Sequence, residues 1–263
     1  MERNGKIVAI ANQKGGVAKT TTAVNLAAYI AKAGKKVLLC DIDPQANATS
    51  GVGVDKEELE HCVYNVLIDE APPEAVIVPT CCKNLSLLPS SIQLAGAEIE
   101  LVNTVQRESR LKKALRPLKE DYDFIFIDCP PTLGLLTLNA MTAADSVLIP
   151  IQAEYYALEG LSQLLQTYEL VQKHLNYDLE IEGVLLTMFD ARTRLALQVE
   201  TEIKNYFGDK VYESIIPRNV RLSEAPSYGQ PISLYDPNSK GAKQYEALSK
   251  EFLKANKTKK EER

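Results

Sequence analysis

The chain has 263 residues, 45% of them apolar and 25% charged. That is enough to bury a full core, and it fits one α/β domain at the upper end of common domain size. A formal net charge of −5 excludes a surface that is basic all round, so any nucleic-acid binding must come from a local patch.

The first apolar run, residues 7–11, is too short for a signal peptide or a membrane span, and no later run reaches spanning length. Further runs rich in Val, Ile and Leu lie at 37–40, 85–88, 124–127, 147–151, 181–188 and 211–216. Being nearly continuous rather than alternating, they predict strands buried on both faces. Helical spacing predicts helices over 20–33, 94–115, 158–175 and 195–207, with Gly34 as the stop of the first. The alternation predicts a single-domain α/β fold, a mostly parallel twisted sheet with helices on both faces. Residues 51–83 read as a loop-rich insertion with a short helix, and 218–240 as a long structured loop. The domain is expected over 1–255, followed by a charged, disordered tail over 256–263.

Five cysteines are present, Cys40, Cys62, Cys81, Cys82 and Cys129, with no Cys-x-x-Cys pair. An odd number without that spacing points to a reducing cytoplasm. Cys40 and Cys129 sit in strand-like runs, where free cysteine behaves as a small hydrophobe.

The first strand leads into Gln13-Lys14-Gly15-Gly16-Val17-Ala18-Lys19-Thr20-Thr21 and then a helix. Strand, glycine-rich turn and helix N-terminus form a phosphate-binding geometry, because backbone N–H groups and the helix dipole face the anion. Lys19 can reach terminal phosphates, and the Thr20 hydroxyl can bind Mg²⁺. The bland alternative is a glycine turn between strand and helix with two solvated lysines. The common G-x-x-x-x-G-K-[ST] pattern does not match, since its glycine positions fall on Gln13 and Ala18.

Two further strands end in carboxylates. One is Val37-Leu38-Leu39-Cys40-Asp41-Ile42-Asp43-Pro44-Gln45; the other is Phe124-Ile125-Phe126-Ile127-Asp128. The carboxyl edge of a parallel sheet is where such folds place ligands. An aspartate there orients water or sits near Mg²⁺, or merely caps a turn, as Asp-Pro often does.

Residues 12–22 resemble the deviant Walker A motif of the ParA/MinD/nitrogenase iron-protein superfamily. The resemblance implies ATP and Mg²⁺ as ligands, bound by the loop from Lys14 through Gly15, Gly16, Val17, Ala18, Lys19 and Thr20 to Thr21. It implies that Lys14 reaches the partner's nucleotide in an ATP-sandwiched homodimer. Ala18 departs from the family's usual glycine, at a cost on the order of 1 kcal/mol if the loop needs a positive φ there. The segment from Asp41 to Gln45 resembles switch I, which implies that Asp43 supports attack by water and that Asp41 supports the metal site. Asp128 resembles the Walker B aspartate, and 130–136 switch II. Lys14, Lys19 and Asp43 are thus the implied catalytic residues, with Thr20, Asp43 and Asp128 at the metal.

The C-terminal half resembles the chromosomal ParA (Soj) branch. The matching blocks are Glu154-Tyr155-Tyr156-Ala157-Leu158-Glu159-Gly160-Leu161, Leu186-Thr187-Met188-Phe189-Asp190-Ala191-Arg192-Thr193, and the run from Ile216 to Pro226. That resemblance implies nonspecific DNA contact by Arg192 and Arg221, and an adenine pocket lined by Pro217, Asn219 and Met188. From charge alone these arginines read as a solvated surface. The implied task is chromosome or plasmid partition by a nucleoid-associated ATPase, with a ParB-type partner stimulating hydrolysis. A replication initiator is a further candidate partner. The alternatives are a MinD-like membrane-positioning ATPase, a carboxylate ligase on the same fold, and a regulator that turns ATP over slowly. Residues 245–254 have apolar spacing suited to packing on the domain, and 256–263 lack the apolar anchors a membrane-surface helix needs.

Overall fold

The structure is a computed structural model that describes residues 5–154 and 157–261. Strand β1 (Lys6–Ile10) leads through the glycine-rich loop to helix α1 (Lys19–Lys32) and then β2 (Val37–Asp41). Three short helices follow, α2 (Asn47–Gly51), α3 (Val63–Leu67) and α4 (Pro73–Val76), and then the hairpin strands β3 (Val78–Pro79) and β4 (Leu85–Leu88). Helices α5 (Leu94–Glu100) and α6 (Arg110–Leu118) precede β5 (Phe124–Asp128), α7 (Leu135–Ala143) and β6 (Ser146–Gln152). Next come α8 (Ala157–His174), β7 (Glu180–Thr187) and α9 (Arg194–Phe207), and the chain ends in α10 (Val220–Glu224), α11 (Ile232–Tyr235) and α12 (Lys240–Glu261).

Among the described residues the strands form a 7-stranded sheet in the order β3-β4-β2-β5-β1-β6-β7. Every pairing is parallel except β3 with β4. Alternate residues of β1 enter opposite cores. Ile7 and Ala9 pack with Leu94, Leu111 and Leu136 from α5, α6 and α7. Val8 and Ile10 pack with Leu26 and Ile30 of α1 and with Leu248 and Phe252 of α12. Two covered faces are the physical reason that the strands read as unbroken apolar runs. The Phe252 ring lies edge-on to Phe124 with centroids 5.2 Å apart. The apolar side of α12 is therefore spent inside the domain, and no helix among the described residues is long and apolar enough to cross a membrane.

Several expected boundaries shift. The helix expected over 94–115 is broken, because Thr104 is extended and Gln106 has φ 56°. Residues 211–216 form no strand; they meet β7 only through the isolated bridge Val184–Val211 and scattered hydrogen bonds. Pro217, which lacks an N–H, ends any ladder there. The insertion at 51–83 holds two short helices rather than one. Helix α12 runs on to Glu261, into the segment from residue 256 where a charged tail is expected. Asn256 is buried there, and its side-chain amide donates to Glu182 Oε1 at 2.8 Å.

Candidate active site

Parallel pairing brings the carboxyl ends of β1, β2 and β5 to one sheet edge. Asp128 stands in register with both Ile10 and Asp41, so the phosphate loop and both aspartate-ending strands meet there. The loop is anchored at each side. Asn12 donates its amide to Pro150 O at 2.7 Å and accepts from the Lys14 N–H at 3.0 Å. Thr187 Oγ1 donates to Val17 O at 3.1 Å. Gly16 (φ 72°) and Ala18 (φ 65°) are both left-handed, and this turn points the chain into α1 with Ala18 as the residue before its first turn. Gly15 and Gly16 are exposed, while Thr20 and Thr21 are half-buried at the helix start.

The two lysines have opposite environments. Lys19 is buried, and its Nζ donates across the loop to Lys14 O at 2.9 Å. Burial lowers its pKa, and the carboxylates of Asp128 and Asp43 pull it back up. Lys14 instead lies at the rim, where its Nζ pairs with Glu154 Oε2 at 3.2 Å. Arg218 reaches the other oxygen of the same carboxylate at 3.9 Å.

The three aspartates divide their work. Asp41 is fully buried, and Oδ2 accepts from both the N–H and the hydroxyl of Thr49 at 2.8 Å. Its Oδ1 accepts from the Asp43 N–H at 3.1 Å. Asp41 thus holds α2 and the Asp43 turn in place; burial pushes its carboxyl up to about 6 against those hydrogen bonds. Asp43 accepts from the Gln45 N–H at 2.9 Å, and its carbonyl accepts from Ser90 Oγ at 2.7 Å. Asp128 is fully buried, and neither of its oxygens has a hydrogen-bond partner among the described residues. Burial raises its pKa well above the carboxylate range, the charges of Asp41 and Asp43 raise it further, and the nearby Thr20 hydroxyl and Lys19 act against this. An orphaned buried carboxylate is costly. One facing a phosphate loop fits a hydrated Mg²⁺, which takes few protein ligands and keeps several waters. Cys129 next to it is buried in the core, and burial pushes its thiol up.

The segments expected to line a base pocket do lie side by side. Phe189 bridges Pro217, and its N–H donates to Ile216 O at 3.1 Å. Met188 beside it has φ 48°, an uncommon conformation for a long side chain. Asn219 uses its side-chain oxygen to cap α10, accepting from the Arg221 N–H at 2.9 Å. Arg192 and Arg221 are both exposed, and each is tied to carboxylates of its own chain. Arg192 makes a two-pronged pair with Asp190 at 2.8 and 2.7 Å. Arg221 meets Glu224 at 2.9 Å and Asp236 at 3.5 Å. Tyr155 and Tyr156 of the first matching block lie outside the described residues.

Glu154, Thr49, Ser90 and Thr187 escaped the sequence reading as site residues. Glu154 sits 140 positions from Lys14, and Thr187 is 170 from Val17. Spacing along the chain carries no signal for contacts made across a sheet.

A left-handed glycine loop between a buried strand and a helix, with a second strand ending in an unpartnered aspartate, defines a P-loop nucleotide-binding α/β protein. The family described as an AAA domain matches residues 5–181. The chain is 66% identical over 247 residues to the sporulation initiation inhibitor protein Soj of Bacillus subtilis, covering 94% of this chain and 98% of that one. It is 56% identical over 250 residues to the chromosome partitioning protein ParA of Myxococcus xanthus, covering 95% and 88%. Among solved structures, it resembles a cobyrinic acid a,c-diamide synthase from Mycobacterium smegmatis with bound ATP analog and magnesium. That likeness has a TM-score of 0.84 and 39% identity over 96% of each chain. The chain belongs to the Soj/ParA family of chromosome-partitioning ATPases.

Proposed function

We propose that the protein is a partition ATPase that binds ATP with Mg²⁺, pairs with a second copy of itself around the nucleotide, and in that state holds DNA without regard to sequence. The observation that carries this reading is the contrast between the two loop lysines. Lys19 is enclosed and directed at its own loop, as a residue serving phosphates in cis should be. Lys14 stands at the rim, 31% exposed and held by a carboxylate that is itself 48% exposed. Such pairs contribute about 0–1 kcal/mol, so a phosphate on an opposing subunit competes easily for Lys14.

Within one subunit the loop N–H groups from Gly15 to Thr21 receive the phosphates, and Lys19 neutralises the terminal ones. Thr20 and Asp128 would hold Mg²⁺, with Asp43 beside them; the ion supplies charge neutralisation on the transferring phosphoryl group. Asp43 orients the attacking water. Phosphoryl transfer asks the protein mainly for positioning and charge, and this set provides both. Met188, Pro217 and Asn219 line the base. A ParB-type partner accelerates hydrolysis and so releases the dimer from DNA, a ligand-biased monomer–dimer equilibrium. Nucleoid association follows from the same DNA-bound state, and a replication initiator is a further candidate partner.

The test compares DNA retention with and without ATP for the native chain and for Arg221→Glu. Retention should need ATP in the native chain and be lost in the variant. Equal retention by both, or retention indifferent to ATP, overturns the proposal.

A further inference from the structure

Cys81 and Cys82 lie away from the candidate active site, in the hairpin joining β3 to β4. Their Sγ atoms are 3.9 Å apart. Cys81 is exposed and Cys82 half-buried, whereas Cys40, Cys62 and Cys129 are buried. The hairpin is closely held. The Cys82 N–H donates to Thr80 Oγ1 at 3.1 Å, and that hydroxyl donates to Leu85 O at 2.8 Å. The Cys81 N–H donates to Val52 O at 3.1 Å, just beyond α2. Cys81 Sγ lies 3.6 Å from Gly229 O, at the end of the 3-10 turn Ala225–Tyr228 that follows α10. A β-carbon on Gly53 would stand 3.2 Å from the Cys81 β-carbon and 3.1 Å from Gly229 O. One exposed thiol therefore fills the seam where the end of α2, the hairpin and the turn beyond α10 converge.

We propose that Cys81 and Cys82 form a dithiol that a hydroperoxide oxidises, with Cys81 attacking and Cys82 resolving, and that closure of their disulfide opens the seam at Gly229. The geometry sets the roles. Cys81 is the accessible thiol, and the hydrogen bond it shares with Cys82 draws its pKa down to about 7. The same hydrogen bond and burial push Cys82 up, so that it stays protonated. A thiolate rather than a thiol is the nucleophile.

In the first step the Cys81 thiolate attacks one peroxide oxygen, the O–O bond breaks, and hydroxide or alkoxide leaves. Cys81 is then a sulfenic acid. In the second step the Cys82 sulfur attacks the Cys81 sulfur and the S–O bond breaks. The departing hydroxide takes the Cys82 proton as water. The two thiols lose two electrons, and the peroxide accepts them.

Closure shortens the sulfur–sulfur distance to about 2.05 Å. Adjacent α-carbons are about 3.8 Å apart, less than the roughly 4.4–6.8 Å that disulfides usually span. The hairpin at 80–84 must therefore reshape, and Cys81 Sγ leaves Gly229. The disturbance reaches α2, which Thr49 tethers to Asp41, and the turn that Arg221 precedes.

The experiment treats the reduced full chain with hydrogen peroxide and follows it by peptide mass spectrometry and hydrogen exchange. The expected product is a loss of about 2 Da on the peptide carrying both cysteines, reversed by dithiothreitol. Cys40, Cys62 and Cys129 should react at least about ten-fold more slowly. Cys82→Ser should accumulate a dimedone-trappable sulfenic acid at Cys81, and Cys81→Ser should give none at Cys82. In the oxidised chain, exchange in the peptides holding Cys81 and Gln230 should quicken about ten-fold. Passage of Cys81 to sulfinic acid without the 2 Da loss, equal trapping at Cys82, or unchanged exchange would each overturn the proposal.

Discussion

Ala18 has φ 65° at the point where the phosphate loop enters α1. Its β-carbon crowds the following carbonyl in that conformation, and glycine carries no such penalty. Ala18→Gly should therefore stabilise the nucleotide-free protein by about 0.5–1 kcal/mol, raising Tm by about 1–3 °C in thermal unfolding. An unchanged or lowered Tm would mean that the loop relaxes around the methyl group.

The Asp128 carboxylate is buried without a hydrogen-bond partner among the described residues. A carboxyl whose folded pKa is raised stabilises the fold fully below its unfolded value, near pH 4, and loses that contribution as pH rises through the folded value. Both Asp41, raised to about 6, and Asp128 have this sign. Stability without nucleotide should thus fall between about pH 4 and 6 and beyond. Asp128→Asn removes one such charge and should flatten that fall and raise Tm at pH 7 without nucleotide. The same variant should lose most of the gain from ATP with Mg²⁺, which for the native chain is about 3 kcal/mol at a hundred-fold excess over Kd. Thermal unfolding across pH, with and without ATP and Mg²⁺, checks both signs.

At the scale of elements, the candidate DNA surface depends on how α12 seats α10. A β-carbon on Gly241 would lie 2.7 Å from Leu222 Cγ and 2.8 Å from its Cδ1. Leu222 is buried and adjoins Arg221 in α10. In an open helical position, alanine for glycine is favourable by about 1 kcal/mol. Here overpacking should reverse that sign. Gly241→Ala should cost about 1–3 kcal/mol and weaken DNA retention by displacing α10. ATP turnover in the absence of DNA should persist, because the phosphate loop is held by β6 and β7 instead. The latter two strands also explain why the loop keeps its shape without ligand: Asn12 and Thr187 fix its carbonyls and N–H groups from either side.

At the scale of the whole molecule, a net charge of −5 would double in the proposed dimer, so the proposed DNA contact would rest on the few arginines each subunit presents. Their own carboxylates, Asp190 for Arg192 and Glu224 with Asp236 for Arg221, would have to yield to phosphates for that contact to form. Asp43→Ala should slow hydrolysis and hold the ATP-bound chain as a dimer in size measurements; a monomer with ATP would remove Asp43 from its assigned role. On that dimer, loss of Arg221 from both subunits should reduce the slope of log affinity against log salt by about 2, since each phosphate contact contributes roughly 0.9.

Much of the fold was legible from local pattern. Residues 7–10, 37–40 and 124–127 are strands because two covered faces demand unbroken apolar runs, and Gly34 with φ 87° ends α1 as its type suggests. The loop at Lys14–Thr21 was legible because phosphate binding needs its residue types contiguous in sequence. Breaks within 94–115 were not legible, since Gln106 adopts its left-handed turn without any glycine to announce it.

By itself the sequence determined the phosphate loop, the two carboxylate-ending strands and the family, all of which are written in short contiguous segments. Only the tertiary structure decided how the aspartates differ. Asp41 and Asp128 have the same chemistry and adjacent register, yet Thr49 and the Asp43 N–H donate to the oxygens of one, while no hydrogen bond from the described residues meets those of the other. It also decided that Lys14 rests on Glu154 and that Cys81 touches Gly229. Such pairings are made where distant strand ends and turns converge, and separation along the chain holds no record of them.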